Sequence, residues 1–188
     1  MANGTLKVSN IETSSGSGTI TLGQSGETVS VPSGATLDMS SGTMTLNSSM
    51  KATPAFMAYN STVTSMTNNS PTKVLFQTEN FDVGSCYDTS TSRFTPTTSG
   101  KYLFNASVSV NSTGNFDKND VNFYKNGSGF ANFRTYHTSY TSSHGSVIIE
   151  ANGSTDYFEI YYEQSSGGAL NTINNQSTFF SAHRIIGA

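Results

Sequence analysis

Apolar side chains fall on every second position through residues 100–110. Tyr102, Phe104, Ala106, Val108 and Val110 share one face of that run, and Leu103, Asn105, Ser107 and Ser109 share the other. Such alternation puts one face in a core and the other toward solvent, which predicts a half-buried strand. Phe158, Ile160 and Tyr162 alternate in the same way with Tyr157, Glu159 and Tyr161. Further runs predict strands over residues 73–77, 121–125, 146–151 and 177–186, with turns at Ser99-Gly100, Asn126-Gly127 and Asn152-Gly153. No window sustains a helical period, so this region reads as an all-β antiparallel sandwich of the jelly-roll type.

The first fifty residues carry a different pattern. They contain no Phe, Tyr, Trp, His or Cys, and their apolar residues come in short alternating pairs: Ile20 and Leu22, Val29 and Val31, Leu37 and Met39, Met44 and Leu46. Turn formers at residues 23–26, 32–34 and 40–42 separate the pairs, giving a strand-turn repeat of about eight residues. Two apolar side chains per strand remove too little area from water to offset the entropy of ordering the chain. The repeat therefore needs copies of itself, and several chains wound about an axis with these eight residues inward would make a β-rich stem. A flexible Ser/Gly-rich linker is the open alternative. Alternation is lost in NSSMKAT, residues 47–53, before Pro54. The predicted division is a stem over residues 1–50 and a head over residues 51–188.

Composition narrows the partners. Only 11% of the 188 residues are charged, against about 25% in an ordinary soluble domain. Ser (31), Thr (26) and Asn (18) supply the polar surface instead, so it is neutral rather than ionic. A net charge of −3 without any basic cluster argues against nucleic acid as a partner. No apolar run approaches the roughly 18 residues of a membrane helix, and MANGTLKVSNIETSS lacks the apolar stretch of a secretory signal. Neither membrane insertion nor signal-led export is expected. The single cysteine, Cys86, excludes an intrachain disulfide and reads as a small apolar residue.

The segments PAFMAY, KVLFQTENFDVGSCYDTSTSRFTPTTSGKYLFNASVSV, NFYKNGSG, SVIIEANGSTDYFEIYYEQ and STFFSAHRI follow one another between Pro54 and Ile186. In that order they resemble the globular head of the first complement component, a family that shares its jelly roll with tumour necrosis factor. Tyr87-Asp88, Arg93-Phe94-Thr95 and Gly100 to Phe104 look like the family's strand, Gly turn and Tyr-x-Phe strand. Asn126-Gly127 matches its hairpin, Asn152 to Phe158 its turn before a buried strand, and Ser177-Thr178-Phe179 its closing strand. The resemblance implies a trimer about a threefold axis with aromatic faces packed between protomers, where Tyr59, Tyr157 and Tyr161 would lie. Two features depart from the family: Phe180-Ser181 replaces the usual Gly after the final Thr-Phe, and no collagenous Gly-X-Y stem is present.

The stem sequence, MANGTLKVSNIETSSGSGTITLG and ATLDMSSGTMTL, is similar to stems of marine phage fibre and decoration proteins. The two resemblances together imply a homotrimeric virion surface protein of a tailed phage, made in the host cytoplasm and released by lysis. Residues 1–50 would anchor it to capsid or tail proteins, and the head would serve host or glycan attachment. The alternative is a non-viral trimeric carbohydrate-binding or cytokine-like module.

Catalysis needs a constellation that the sequence does not offer convincingly. Glycan cleavage requires two carboxylates facing each other across a bond, and the candidates are Asp117 with Asp120 or Glu159 with Glu163. The first pair sits in a loop-like stretch and the second repeats too regularly along one strand, so no enzyme is expected. His137 and His144 with Asp117 or Asp120 could ligate a divalent ion, and His183 lies on the last strand, but neither metal nor cofactor is assigned. Sequons at Asn60, Asn105 and Asn111 arise readily in so Asn- and Ser-rich a chain. Tyr faces flanked by neutral amides and hydroxyls suit sugars. Tyr124, Tyr136, His137 and Tyr140 are therefore the candidate ligand-facing tip, with strand packing as the competing role.

Overall fold

The computed structural model describes residues 11, 18–46, 50–112, 116–137 and 141–186, with backbone only at 116, 117, 137 and 141. Internal contacts divide the chain into two units, Met1–Thr45 and Leu46–Ala188.

In the first unit the expected turns form. Glu27 N donates to Gln24 O at 3.0 Å, Ala35 N to Pro32 O at 3.0 Å and Gly42 N to Met39 O at 3.1 Å. Gly26 and Gly34 take left-handed φ values of 87° and 85°, which residues with a Cβ rarely adopt. The expected short strands do not form within one chain: residues 18–46 contain none. A strand needs a neighbour to take its N–H and C=O groups, and segments with two apolar residues each have nothing to hold one in place. Ile20, Leu22, Val29, Val31, Leu37, Met39 and Met44 are accordingly 38% to 65% exposed, and Leu46 is half-buried.

The second unit is a two-sheet antiparallel sandwich. Strands are numbered in chain order. The first sheet holds β1 (Ala55–Tyr59), β2 (Ser65–Met66), β4 (Thr78–Val83), β7 (Gly100–Asn111), β10 (Thr141–Ala151), β12 (Leu170–Thr172) and β13 (Phe179–Arg184). Its order is β2-β12-β7-β13-β1-β4, with β10 also paired to β7. The second sheet holds β3 (Thr72–Lys73), β5 (Tyr87–Asp88), β6 (Arg93–Phe94), β8 (Phe116–Lys125), β9 (Ser128–His137) and β11 (Phe158–Gln164). Its order is β5-β6-β11-β8-β9, and β3 also pairs with β11. The described residues contain no α-helix, hence none long and apolar enough to cross a membrane.

The alternation predicted for β7 and β11 builds the core. Tyr102, Phe104, Ala106, Val108 and Val110 are buried, as are Phe158, Ile160 and Tyr162 across the sandwich. Phe104 lies at the centre, its ring centroid 4.5 Å from that of Phe158 and 6.0 to 6.2 Å from those of Phe94, Phe180 and Tyr102. The strand expected over 73–77 is cut short at Lys73. Beyond it, Phe76 N donates to the Ser92 hydroxyl at 2.9 Å rather than to a neighbouring strand.

The two sheets meet closely where β9 and β10 pass each other. A Cβ on Gly145 would fall 2.3 Å from Cδ2 of Phe133, so glycine on β10 admits the aromatic ring of β9.

Candidate functional site

The outward face of the second sheet is organised by three adjacent strands. Register sets Glu159 of β11 opposite Tyr124 of β8, Tyr161 opposite Asn122, and Glu163 opposite Asp120. On the far side of β8, Asn122 pairs with Asn132 and Asp120 with Arg134 of β9. The carboxylates there all find an opposite charge. Oε1 of Glu159, a side chain only 2% exposed, accepts from Lys73 Nζ at 2.5 Å and from Arg93 Nε at 2.7 Å. The Arg93 guanidinium also lies 4.2 Å over the Tyr157 ring. Arg134 grips both carboxylate oxygens of Asp120 at 2.8 Å, and Lys118 reaches Glu163 at 2.6 Å. Tyr124 and Tyr161 stack with centroids 4.1 Å apart.

This pairing bears on the described carboxylates considered for glycan cleavage, and on the general-acid role first. Burial works to raise the pKa of Glu159, but its bonds to Lys73 and Arg93 outweigh that and hold it below the usual range. Burial is likewise overcome at Asp120 by the bonds from Arg134 and Asn132. A general acid must carry a proton at the working pH, and these groups are held ionised by their partners. Glu163 is bound to Lys118, and the Asp117 side chain lies outside the described residues.

One end of this face is open. The β8–β9 pairing passes from Phe123 opposite Ala131 directly to Tyr124 opposite Gly129. Phe130 is the extra residue of a β-bulge and stands 53% exposed. Beside it lies a hollow of about 180 Å³ lined by Asn122, Gly129, Phe130, Ala131 and Asn132.

The outward face of the first sheet differs in chemistry. Reading across β10, β7, β13, β1 and β4, one row is Ile148, Leu103, His183, Ala55 and Val83. The next is Ser146, Asn105, Ser181, Met57 and Phe81, and the third is His144, Ser107, Phe179, Tyr59 and Thr78. These rows contain no Lys, Arg, Asp or Glu. Ile148, Val83 and Phe81 are 55%, 49% and 47% exposed. A shallow depression of about 340 Å³, lined mainly by Asn105, Ser107, His144, Gly145, Ser146 and Phe179, lies near its middle.

The predicted site residues are thus redistributed. Tyr59 lies on the first sheet's face, whereas Tyr157 and Tyr161 lie on the second's, so the three do not share a surface. Tyr124, the last residue but one of β8, packs on Tyr161 near the Asn126-Gly127 turn, Tyr136 is 68% exposed on β9, and Tyr140 and the His137 side chain lie outside the described residues. His144 and Asp120 belong to opposite sheets, and among the described residues no three His, Cys, Asp or Glu side chains gather as a metal site. Asn60 is fully buried and donates to Leu75 O at 2.7 Å and Thr62 O at 2.8 Å, so it pins the core and is no glycan acceptor. Phe130 escaped sequence reading; its signal is Gly129 within a strand pattern, where an isolated glycine marks a bulge.

Comparison with known proteins agrees with this architecture. The sequence profile of the family described as C1q domain matches residues 55–185. Among solved structures, the globular domain of zebrafish complement 1qA protein is 18% identical, with 70% of this chain and 96% of that one covered at a TM-score of 0.50. Murine APRIL is 13% identical, with 70% and 98% covered at 0.53. Eiger TNF from S. frugiperda is 9% identical, with 71% and 93% covered at 0.53. At these identities the likeness establishes the fold. No curated protein matches the chain by sequence.

Proposed function

The chain belongs to the C1q domain family, and from that premise we propose that it is a homotrimeric attachment protein on the surface of a tailed-phage virion. C1q- and TNF-like domains are binding modules rather than enzymes, and the neutralised carboxylates of the second sheet suit that role. The single observation that carries the trimer is the set of three uncharged rows on the outward face of the first sheet. Exposed Ile148, Phe81 and Val83 surround small Ser and Asn side chains there, a composition that favours contact with other copies over contact with water. Tyr59 would lie in that contact, while Tyr157 and Tyr161 would face outward with Tyr124.

The stem supports the same assembly. Its seven apolar residues stand exposed between regular turns, and two further chains would supply the strand partners and the apolar cover that one chain lacks. With the amino-terminal segment anchored to capsid or tail proteins, three heads would be held together, and weak contacts with host-surface glycans would gain avidity.

Two measurements on the full chain test this reading. Light scattering should give three times the chain mass, and peptides of the protein should appear in mass spectra of purified particles. A monomer by scattering and in particles would overturn the trimer. A trimer missing from particles would overturn the virion role and leave a free carbohydrate-binding or cytokine-like module.

A further inference from the structure

We infer that the hollow beside the β9 bulge binds a single pyranose ring of a glycan. The inference rests on the attachment reading above and specifies where and how the ligand is held.

The bulge is the first element of the argument. By inserting Phe130 between residues that pair with Tyr124 and Phe123, it turns a large aromatic side chain outward, where it is 53% exposed. Of the other aromatics described on this face, Tyr124 stacks on Tyr161 and Tyr157 lies beneath Arg93, while Tyr136, further along β9, is 68% exposed. Phe130 is the exposed ring that borders the hollow, and its face is the kind of surface onto which the C–H groups of a sugar pack.

Gly129 is the second element. It faces the Tyr124 ring, and a Cβ built on it would lie 3.8 Å from that ring, so its missing side chain is what leaves the space open. The resulting hollow of about 180 Å³ suits one sugar ring rather than a polypeptide segment.

The third element is the pair of amides on the floor. Asn132 Nδ2 donates to Asn122 Oδ1 at 2.7 Å, and the Asn132 amide also bonds the Asp120 carboxylate, which leaves the Asn132 carbonyl oxygen as an acceptor. Asn122 Nδ2 uses one N–H on Asp120 O at 3.2 Å and keeps the other as a donor. One acceptor beside one donor matches neighbouring sugar hydroxyls, each of which both gives and takes a hydrogen bond. The adjoining charges, Asp120 with Arg134 and Glu159 with Lys73 and Arg93, are already paired, so the site favours a neutral ligand over an ion.

Saturation-transfer NMR on the full-length protein tests this, with the methyl glycosides of glucose, galactose, mannose and N-acetylglucosamine as probes. At least one should bind with a millimolar Kd, and Phe130→Ala and Gly129→Ala should each weaken it by about tenfold or more. The methyl group added by Gly129→Ala makes only ordinary contact with Tyr124, so that variant retains the fold, and scattering mass and thermal midpoint check both variants. Silence with every glycoside, or binding undiminished in both variants, overturns the site. A trimer that becomes monomeric on Phe130→Ala also overturns it, because Phe130 would then be an interface residue. A wild-type protein that is trimeric and particle-bound yet silent to all the glycosides removes this site and leaves the attachment reading standing.

Discussion

The two outward faces of the sandwich arise from the same strand alternation yet reach opposite chemistry. On the second sheet, Lys73, Arg93, Lys118 and Arg134 neutralise Glu159, Glu163 and Asp120, and Tyr124 covers Tyr161. The carboxylates of that face are paired within one chain. On the first sheet, rows of Ser, Asn and His lie among Ile148, Met57, Phe81 and Val83 without a Lys, Arg, Asp or Glu between them. A face whose polar groups are satisfied internally is stable in water, and one that leaves apolar groups exposed gains free energy when another surface covers it. Under the function proposed above, the contrast would separate a surface for self-association from a surface for display.

The harshest test removes what both faces share. Phe104→Ala should cost about 3–5 kcal/mol, seen as a large fall in the denaturation midpoint, because the cavity would open among four other rings. Next comes a charge on one face only. Ser107→Arg should convert the proposed trimer to a monomer by light scattering while far-ultraviolet circular dichroism keeps its strand signal. Tyr136→Arg, an equal charge on the second sheet, should leave the mass unchanged. If both variants or neither dissociate, the faces do not differ in the way argued.

Gly145→Ala acts at the seam between the sheets. Its new methyl group would overlap the Phe133 ring, and a loss of about 1–3 kcal/mol is expected in chemical denaturation.

The smallest effect concerns the ionic face. Glu159→Gln should cost about 1–2 kcal/mol at neutral pH, since Lys73 and Arg93 are partly exposed and water can take over from the lost carboxylate. The folded-state pKa of Glu159 lies below its unfolded value near 4.5, so its contribution is present above that pH and is lost as pH falls through the folded value. Asp120 and Asp156 shift the same way, and Asp88 is held at about 2 by its bonds from Ser90 and Thr91. Stability should therefore decline below about pH 4, and the gap between wild type and Glu159→Gln should close there. A gap that persists in acid would show that shape, not charge, makes the contribution.

Alternation at residues 102–110 and 158–162 made the core strands and their buried sides readable, because the direction of each side chain is set by the residues beside it. The three stem turns were equally readable, since Gly, Pro, Asp and Ser encode them within four residues. The short stem strands were expected only where other copies pair with them, and a single chain leaves them unformed. The ion pairs were out of reach: Glu159 lies 86 residues from Lys73 and 66 from Arg93. That Tyr59 joins one sheet while Tyr157 and Tyr161 lie on the other was out of reach for a similar reason. Alternation tells which side of a strand faces out, but not which sheet the strand joins.

Local stereochemistry and the hydrophobic pattern thus establish the β class, the buried halves of β7 and β11 and the two-part division of pattern along the chain. Strand order and register assemble everything else. They stack Tyr124 on Tyr161, set Arg134 against Asp120, expel Phe130 at the bulge and line up three uncharged rows across one sheet. These are pairings between residues far apart in the chain, and their free energy exists only once the backbone has brought both partners together.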